Sequence, residues 1–318
     1  MKNPIYFLLI IFCAGPGLTL GVRALAADAP QKVRIAYASR SSSAMPQYMA
    51  QSKGFFKAEG LDVELILMNP RLGATAVVNG AVTFATPFTS TFRGILQGFP
   101  MKLVFVHIKK GPYYVMVRPE IKDVQQLKGK KLGVATIKGT DQLVAEEMLQ
   151  AKGFNPNLLQ AVAIGDGPVR MQALVSGAVD AICVAPPHDF MLRKLGYTGL
   201  AGPPEIGLPS AGMLTSDRLI RENPLLVRRT LKSLLRAHYY IIENRQETIQ
   251  LSIKWLPQDL EIAEHSYDGE LKLLNRDGTM TDGEIESIIT RIGEKKRPLD
   301  EVRDFSFARE ALKELNLK

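Results

Sequence analysis

The sequence predicts an α/β protein built as two lobes around a shared cleft. Two observations predict it. The first is an internal repeat: "VVNGAVTFATPFTSTF" (77–92) and "LVSGAVDAICVAPPHDF" (174–190) each carry an apolar pair, Gly-Ala-Val, a short strand-like run and a loop with proline. Gly80 matches Gly177, Val82 matches Val179, and Pro87 falls near Pro186. The second is the alternation of strand-like and helix-like segments in each half, which implies a mostly parallel sheet covered by helices.

The elements follow in order. "KVRIAY" (32–37) alternates as a strand and enters the loop Ser39 to Ser43. "AMPQYMAQS" (44–52) reads as a helix, since Pro46 is acceptable only in its first turn, and Gly54 suits the left-handed residue that closes it. "LDVELILM" (61–68) is a second strand, and a helix, Gly-Ala-Val, a strand and the loop "TPFTS" complete the first set. The other half repeats it. "KKLGVAT" (130–136) is a strand, "IKGTDQ" (137–142) its loop, and Val144, Met148 and Leu149 share one face of the helix that follows. "LQAVAIG" (159–165) is the next strand, and "PPHD" the last loop. Parallel strands need crossovers, which put the loops after the strands at one edge of each sheet, where ligands of such sheets bind.

Beyond about Thr215 the chain is helical. Asn223 caps a helix with Pro224 at its first position, and Leu231, Leu234, Leu235 and His238 follow at helical spacing. Thr281 to Glu284 forms a capping box, and "FAREALKEL" closes the chain as an amphipathic helix. With no strand of its own, this tail is expected to pack on the first lobe. The expected division is a leader at 1–26, a discontinuous first lobe at 27–114 and 214–318, and a second lobe at 115–213. Two crossing segments permit a hinge.

The leader has Lys2, an apolar run from Ile5 to Leu20 and Ala24-Leu25-Ala26, the parts of a secretory signal peptide cleaved after Ala26 or Ala27. A periplasmic location follows. The formal net charge is +8, of which Lys2 and Arg23 would leave with the leader. The basic clusters Lys109-Lys110, Lys128-Lys130-Lys131 and Lys295-Lys296-Arg297 lack interleaved aromatics, which argues against a nucleic-acid partner. Cleavage leaves one cysteine, Cys183, in an apolar run, and a buried inert thiol is expected. His107, His188, His238 and His265 show no metal-binding spacing, so neither metal nor cofactor is expected.

The runs "AYASRSSSAMPQYMAQSKGFFKAEGLDVELI", "GAVTFATPFTSTF", "VQQLKGKKLGVATIKGTD" and "ALVSGAVDAICVAPP", in this order, resemble periplasmic solute-binding proteins of ABC importers. The resemblance is to the branch for nitrate, sulfonates, taurine and thiamine-precursor pyrimidines. It implies the type II periplasmic binding-protein fold, with a helical tail on lobe 1. It also implies a monomer that captures a small anionic or aromatic solute and delivers it to a permease in the inner membrane. Carried over by position, it implies ligand-facing loops at Ser41, Ser42 and Ser43; at Thr86, Pro87, Phe88 and Thr89; at Gly139, Thr140 and Asp141; at Gly165 and Asp166; and at Pro187 and His188. The chain departs from the family at Thr83, where an Asp is usual, at Pro186, and at Phe88, where a small residue is common. A ring there narrows the pocket or offers a stacking face.

The residues themselves support these places. Thr140 and Ser43 stand where helices begin, so free backbone N–H groups would suit an anion. Arg40 and Lys138 would add positive charge. Asp166 would suit an amine, while Asp141 is better explained as a first-turn acid favoured by the helix dipole. His188, directed by two prolines, is the sharpest single candidate. Two alternatives remain. One is an enzyme like the thiamine-pyrimidine-precursor synthases, which the resemblance implies would use a lysine, a histidine and a pyridoxal cofactor; their cysteine-rich motif has no counterpart here. The other is a ligand-sensing receptor subunit. A dinucleotide site at "GDGPVR" lacks the third glycine and reads as a loop.

Overall fold

The computed structural model describes residues 29–203 and 207–317, so the proposed leader lies outside the described residues. Among the described residues, ten strands form two five-stranded sheets. The first holds β1 (Gln31–Tyr37), β2 (Leu61–Leu67), β3 (Phe84–Pro87), β4 (Met101–Ile108) and β10 (Ala211–Ser216), in the order β2-β1-β3-β10-β4. The second holds β5 (Tyr114–Val117), β6 (Lys131–Val134), β7 (Gln160–Ala163), β8 (Ala181–Val184) and β9 (Thr198–Ala201), in the order β7-β6-β8-β5-β9. The two orders are equivalent position by position, which is the three-dimensional form of the sequence repeat.

The sheets are mostly parallel, as expected, with four strands in each pointing one way and one running against them. In the first, β1 is parallel to β2 and β3, but β10 is antiparallel to β3 and β4. In the second, β6 is parallel to β7 and β8, but β5 is antiparallel to β8 and β9. The reversed strands, β5 and β10, are those that follow the two crossings between lobes. A crossing chain arrives at the cleft edge, where the parallel strands end, and so runs back through the sheet the other way. Strand register also sets the boundaries. Tyr114 pairs with Val184 in the second sheet, and Ala211 pairs with Ile108 in the first, so each crossing ends somewhat earlier than 114 and 213.

The repeated Gly-Ala-Val has a backbone cause. Gly80 and Gly177 each end a helix with φ of 79° and 77°, a left-handed turn that costs a side-chain-bearing residue about 1–2 kcal/mol. Val82 and Val179 are then buried, and β3 and β8 deliver Pro87 and Pro186 to the cleft. Of the tail, the helix Pro224–Glu243 buries a stripe including Val227, Leu231, Leu234, Leu235, His238 and Ile241. It packs against the helices Met45–Ser52 and Ser306–Glu314 of the first lobe. Asn223 caps it, its side chain accepting from Leu226 N–H at 3.1 Å, and the Thr281–Glu284 capping box forms. The tail also reaches the second lobe: Lys194 pairs with Asp259 and Glu261 at 2.9 and 2.8 Å.

Candidate functional site

A cavity of ≈ 70 Å³ lies between the lobes. Its walls are the loop after β1 (Ala38, Ser39, Ser41, Ser43), the end of β3 and the helix it starts (Pro87, Phe88, Ser90), the loop after β6 and the helix it starts (Ala135, Thr136, Gly139, Thr140, Asp141), and Arg170, Ala185 and His188. Pro70, Tyr113 and Ser210 complete it, the last two from the segments that cross between lobes. Those segments are laced together, Gly111 N–H donating to Leu208 O at 3.0 Å and Ser210 N–H to Ile108 O at 3.3 Å.

The expected residues fall into two groups. Ser41, Ser43, Phe88, Gly139, Thr140, Asp141 and His188 line the cavity. Arg40, Ser42, Thr86, Thr89, Lys138, Gly165, Asp166 and Pro187 do not, and several of these hold the lobes together instead. Arg40 and Asp166, whose charges suit a ligand, satisfy each other. Asp166 accepts from Arg40 N–H and Ser39 Oγ, each at 2.9 Å, and from Arg40 Nε at 2.8 Å. Burial raises the Asp166 carboxyl, and these bonds more than offset it, leaving it below its ordinary value. Ser42 N–H donates to Pro186 O at 3.2 Å, and Thr140 Oγ1 donates to Thr89 Oγ1 at 2.7 Å while accepting from Thr89 N–H at 3.3 Å. Lys138 is exposed at φ 60°, its carbonyl accepting from Arg93 at 2.6 Å. Thr86 and Pro187 are buried beside the cavity, and Gly165 O accepts from Arg170 at 2.9 Å.

Arg170 changes the reading of Asp141. The two form a buried ion pair of 3.0 Å, and Asp141 also accepts from Ala135 N–H at 2.6 Å. Burial lifts the Asp141 carboxyl above its ordinary value, with Arg170 opposing. The acid is therefore half of an internal pair rather than a simple first-turn complement to the dipole. His188 is 4% exposed; burial first, then the Arg170 charge, push it down to about 4, so the imidazole is neutral at pH 7. Cys183 is free and buried, and burial raises its thiol well above the ordinary value.

Sequence reasoning missed Ser39, Tyr113, Thr136, Arg170 and Ser210. "GDGPVR" begins a helix, Gly167–Val175, and is not simply a loop. Pro168 in the first turn and the pair Arg170 and Leu174 at helical spacing were the available signal. Three of the missed residues stand out chemically. Arg170 Nε, Thr136 Oγ1 and Ser210 Oγ are buried and have no hydrogen-bond partner.

The comparisons with known proteins agree with this architecture. The family described as NMT1/THI5 like matches residues 41–248, about two thirds of the chain. The riboflavin-binding protein RibY of Chloroflexus aurantiacus is 28% identical over 269 residues, covering 79% of this chain and 76% of that one. The 4-amino-5-hydroxymethyl-2-methylpyrimidine phosphate synthase THI13 of Saccharomyces cerevisiae is 26% identical over 239 residues, covering 67% and 68%. Among solved structures, a chain from Bordetella bronchiseptica RB50 matches with a TM-score of 0.80 at 21% identity, covering 91% of this chain and 99% of that one. The alkanesulfonate-binding protein SsuA from Xanthomonas axonopodis pv. citri bound to MOPS matches at 0.72 and 17%, covering 86% and 98%. The periplasmic nitrate-binding protein NrtA from Synechocystis PCC 6803 matches at 0.72 and 15%, covering 90% and 89%. These likenesses show the two-lobed periplasmic binding-protein fold that the sequence resemblance implies.

Proposed function

The chain belongs to the NMT1/THI5-like family, and on that footing we propose that it is the solute-binding component of an ABC-type importer, secreted to the periplasm by a cleaved leader. It captures a small solute between its lobes and, as a shut monomer, presents it to a permease in the inner membrane. One observation carries the reading: Arg170, Thr136 and Ser210 all line one interlobe cavity, and Arg170 Nε, Thr136 Oγ1 and Ser210 Oγ are buried without hydrogen-bond partners. A buried polar group left unpaired costs about 1–3 kcal/mol. Three at one place form a surface waiting for a ligand. Arginine only donates, while each hydroxyl donates or accepts, so the ligand must offer at least one acceptor. Phe88, Tyr113, Pro70 and Pro87 supply apolar walls suited to a flat solute. In this shut form the space suits a solute well below drug size, since drug-sized pockets measure about 300–1,000 Å³.

Ligand shifts the lobes toward the shut form by binding it more tightly. The bonds of Asp166 to Ser39 and Arg40, and of Thr140 to Thr89, join residues of opposite lobes and so favour the shut form. The same walls argue against synthase chemistry. A pyridoxal cofactor needs a lysine amine to condense with, and the cavity lining among the described residues contains no lysine.

The test is thermal unfolding against alkyl and aryl sulfonates, nitrate, aromatic carboxylates, pyrimidines, flavins and short amines. A ligand at a hundred times its Kd adds about 2.7 kcal/mol, which raises the midpoint by several degrees. We expect one chemical class to do so and to compact the protein in solution scattering. Replacing Ser43 and Thr140 together by bulky residues should abolish the compaction. Turnover of a pyrimidine precursor with no such class would replace this reading with the synthase one.

A further inference from the structure

The shut form buries a second polar cluster between the lobes, and its acids Glu270 and Asp189 and its histidine His265 do not line the cavity. Glu270 directly follows the first-lobe helix Leu260–Gly269, is 0% exposed, and neither of its carboxylate oxygens has a hydrogen-bond partner. Asp189, in the second-lobe helix His188–Lys194, is also 0% exposed. Its Oδ2 accepts from His265 Nε2 at 3.3 Å, its Oδ1 has no partner, and Phe190 stacks on the His265 ring at 4.2 Å.

The titratable groups that interact with Glu270 or with its neighbour Asp189 come from both lobes and from the crossing between them. They are Asp189 and Arg193 from the second-lobe helix, His265 from the preceding first-lobe helix, and Tyr113 and Tyr114 from the crossing and β5. His265 and Arg193 act on Asp189, and the charge that bears on Glu270 is that of Asp189, another acid. An ionised Glu270 here would be a desolvated charge with no donor, beside a like charge, an arrangement that proteins relieve by neutralising the group. Part of the cover comes from the other lobe. A side-chain carbon placed at Gly269 would touch Pro186 Cγ at 3.7 Å. Asp189 and Pro186 both belong to the second lobe, so a cleft that opened would carry them away from the carboxyl.

We propose that closing of the cleft takes up one proton at Glu270, so that the protein closes less readily, and holds its ligand more weakly, as pH rises. This rests on the reading of the cleft as a closing binding site. Burial, then Asp189, push the shut-form carboxyl up to about 8, whereas a solvated one titrates in the ordinary range near 4.5. The shut form binds the proton more tightly. Its advantage is therefore complete below the ordinary range and is lost as pH rises to about 8, by up to about tenfold in the closing equilibrium per pH unit.

The test compares the wild-type protein with Glu270→Gln, which keeps the shape without the titration, and with Asp189→Asn. The expected results are a carboxylic-acid carbonyl band in the infrared spectrum at pH 6.5 that Glu270→Gln removes, and expansion of the wild type in solution scattering as pH passes 8. Glu270→Gln should stay compact, and Asp189→Asn should keep the band but lose it at lower pH. No such band in the wild type, as for a carboxylate held by a bound cation, would overturn the proposal. So would the same pH response in wild type and Glu270→Gln. If a ligand from the panel compacts both proteins equally at pH 6 and pH 9, the coupling fails and the binding reading stands. If no ligand and no pH changes the dimensions of either protein, the closing reading itself fails.

Discussion

Replacing Arg170 by methionine tests whether the buried ion pair organises the cavity wall. The side chains of Arg170 and Asp141 are only 5% and 6% exposed and stand 3.0 Å apart. Removing one member of such a pair costs about 3–5 kcal/mol, because the other is left as an unpaired buried charge. Asp141 keeps the 2.6 Å bond from Ala135 N–H, which places the expected loss near the lower end of that range. Adding Asp141→Asn removes the stranded charge, so the double variant should recover more than half of the loss. The pH dependence has a definite sign. Burial already raises Asp141, and without Arg170 it rises further, so the folded state takes up a proton more readily than the unfolded chain. The Arg170→Met deficit should therefore grow as pH rises through the raised value and shrink in acid. Urea unfolding followed by circular dichroism at pH 5 and pH 7.5 reads all of this from the midpoints. A loss below about 1 kcal/mol, the scale of an exposed pair, would refute the argument. A double variant no more stable than Arg170→Met would refute it too.

Two further predictions rest on the first lobe. His107 and His238 are both fully buried, joined by a 2.8 Å Nδ1–Nε2 bond, with Gln47 on one end at 2.9 Å and Asn275 O on the other at 2.8 Å. Burial pushes His238 down to about 4, so its stabilising neutral form is complete above the unfolded value of 6.5 and is lost as pH falls toward 4, by about 3 kcal/mol. The slope of urea midpoint against pH over that interval should flatten in His238→Gln, and an unchanged slope would show that this histidine is not the source. Gly278 stands at φ 68°, and a Cβ there would lie 1.9 Å from Phe105 Cε2. Gly278→Ala should cost about 2–4 kcal/mol from the left-handed backbone and the overlap together, read as a lowered Tm. A Tm within error of wild type would mean the ring moves aside freely.

Much of the fold was legible because it is written in local chemistry. The strand at Lys32–Tyr37, the cap at Asn223, the capping box at Thr281–Glu284 and the repeated glycine turns each depend on a few neighbouring residues. Half of the candidate site was legible for the same reason. Ser41, Ser43, Phe88, Gly139, Thr140, Asp141 and His188 sit in the loops that follow strands or in the first turns of the helices those loops start, and the architecture sends these segments to the cleft. The rest was not. Arg40, Asp166, Thr89 and Ser42 have ligand-like chemistry, but their partners lie on the opposite lobe, and no local pattern reveals that they are already satisfied. Arg170 looked like a loop residue, and only its helix and its buried partner Asp141 give it a role.

The sequence by itself determined the alternation of strands and helices, the doubling of the unit, the helical tail and the loops that meet at the cleft. These follow from periodicity, capping and turn chemistry, which act over a few residues. Tertiary structure alone decided three things. It reversed β5 and β10, because a chain crossing between lobes enters its sheet from the cleft edge. It divided the polar loop residues into those that latch the lobes and those that face the cavity. It also left Arg170, Thr136 and Ser210 with unpartnered atoms at one place, and Glu270 buried against the field of another acid. Which polar groups find partners depends on surfaces that are distant in sequence and come together only when the two lobes close.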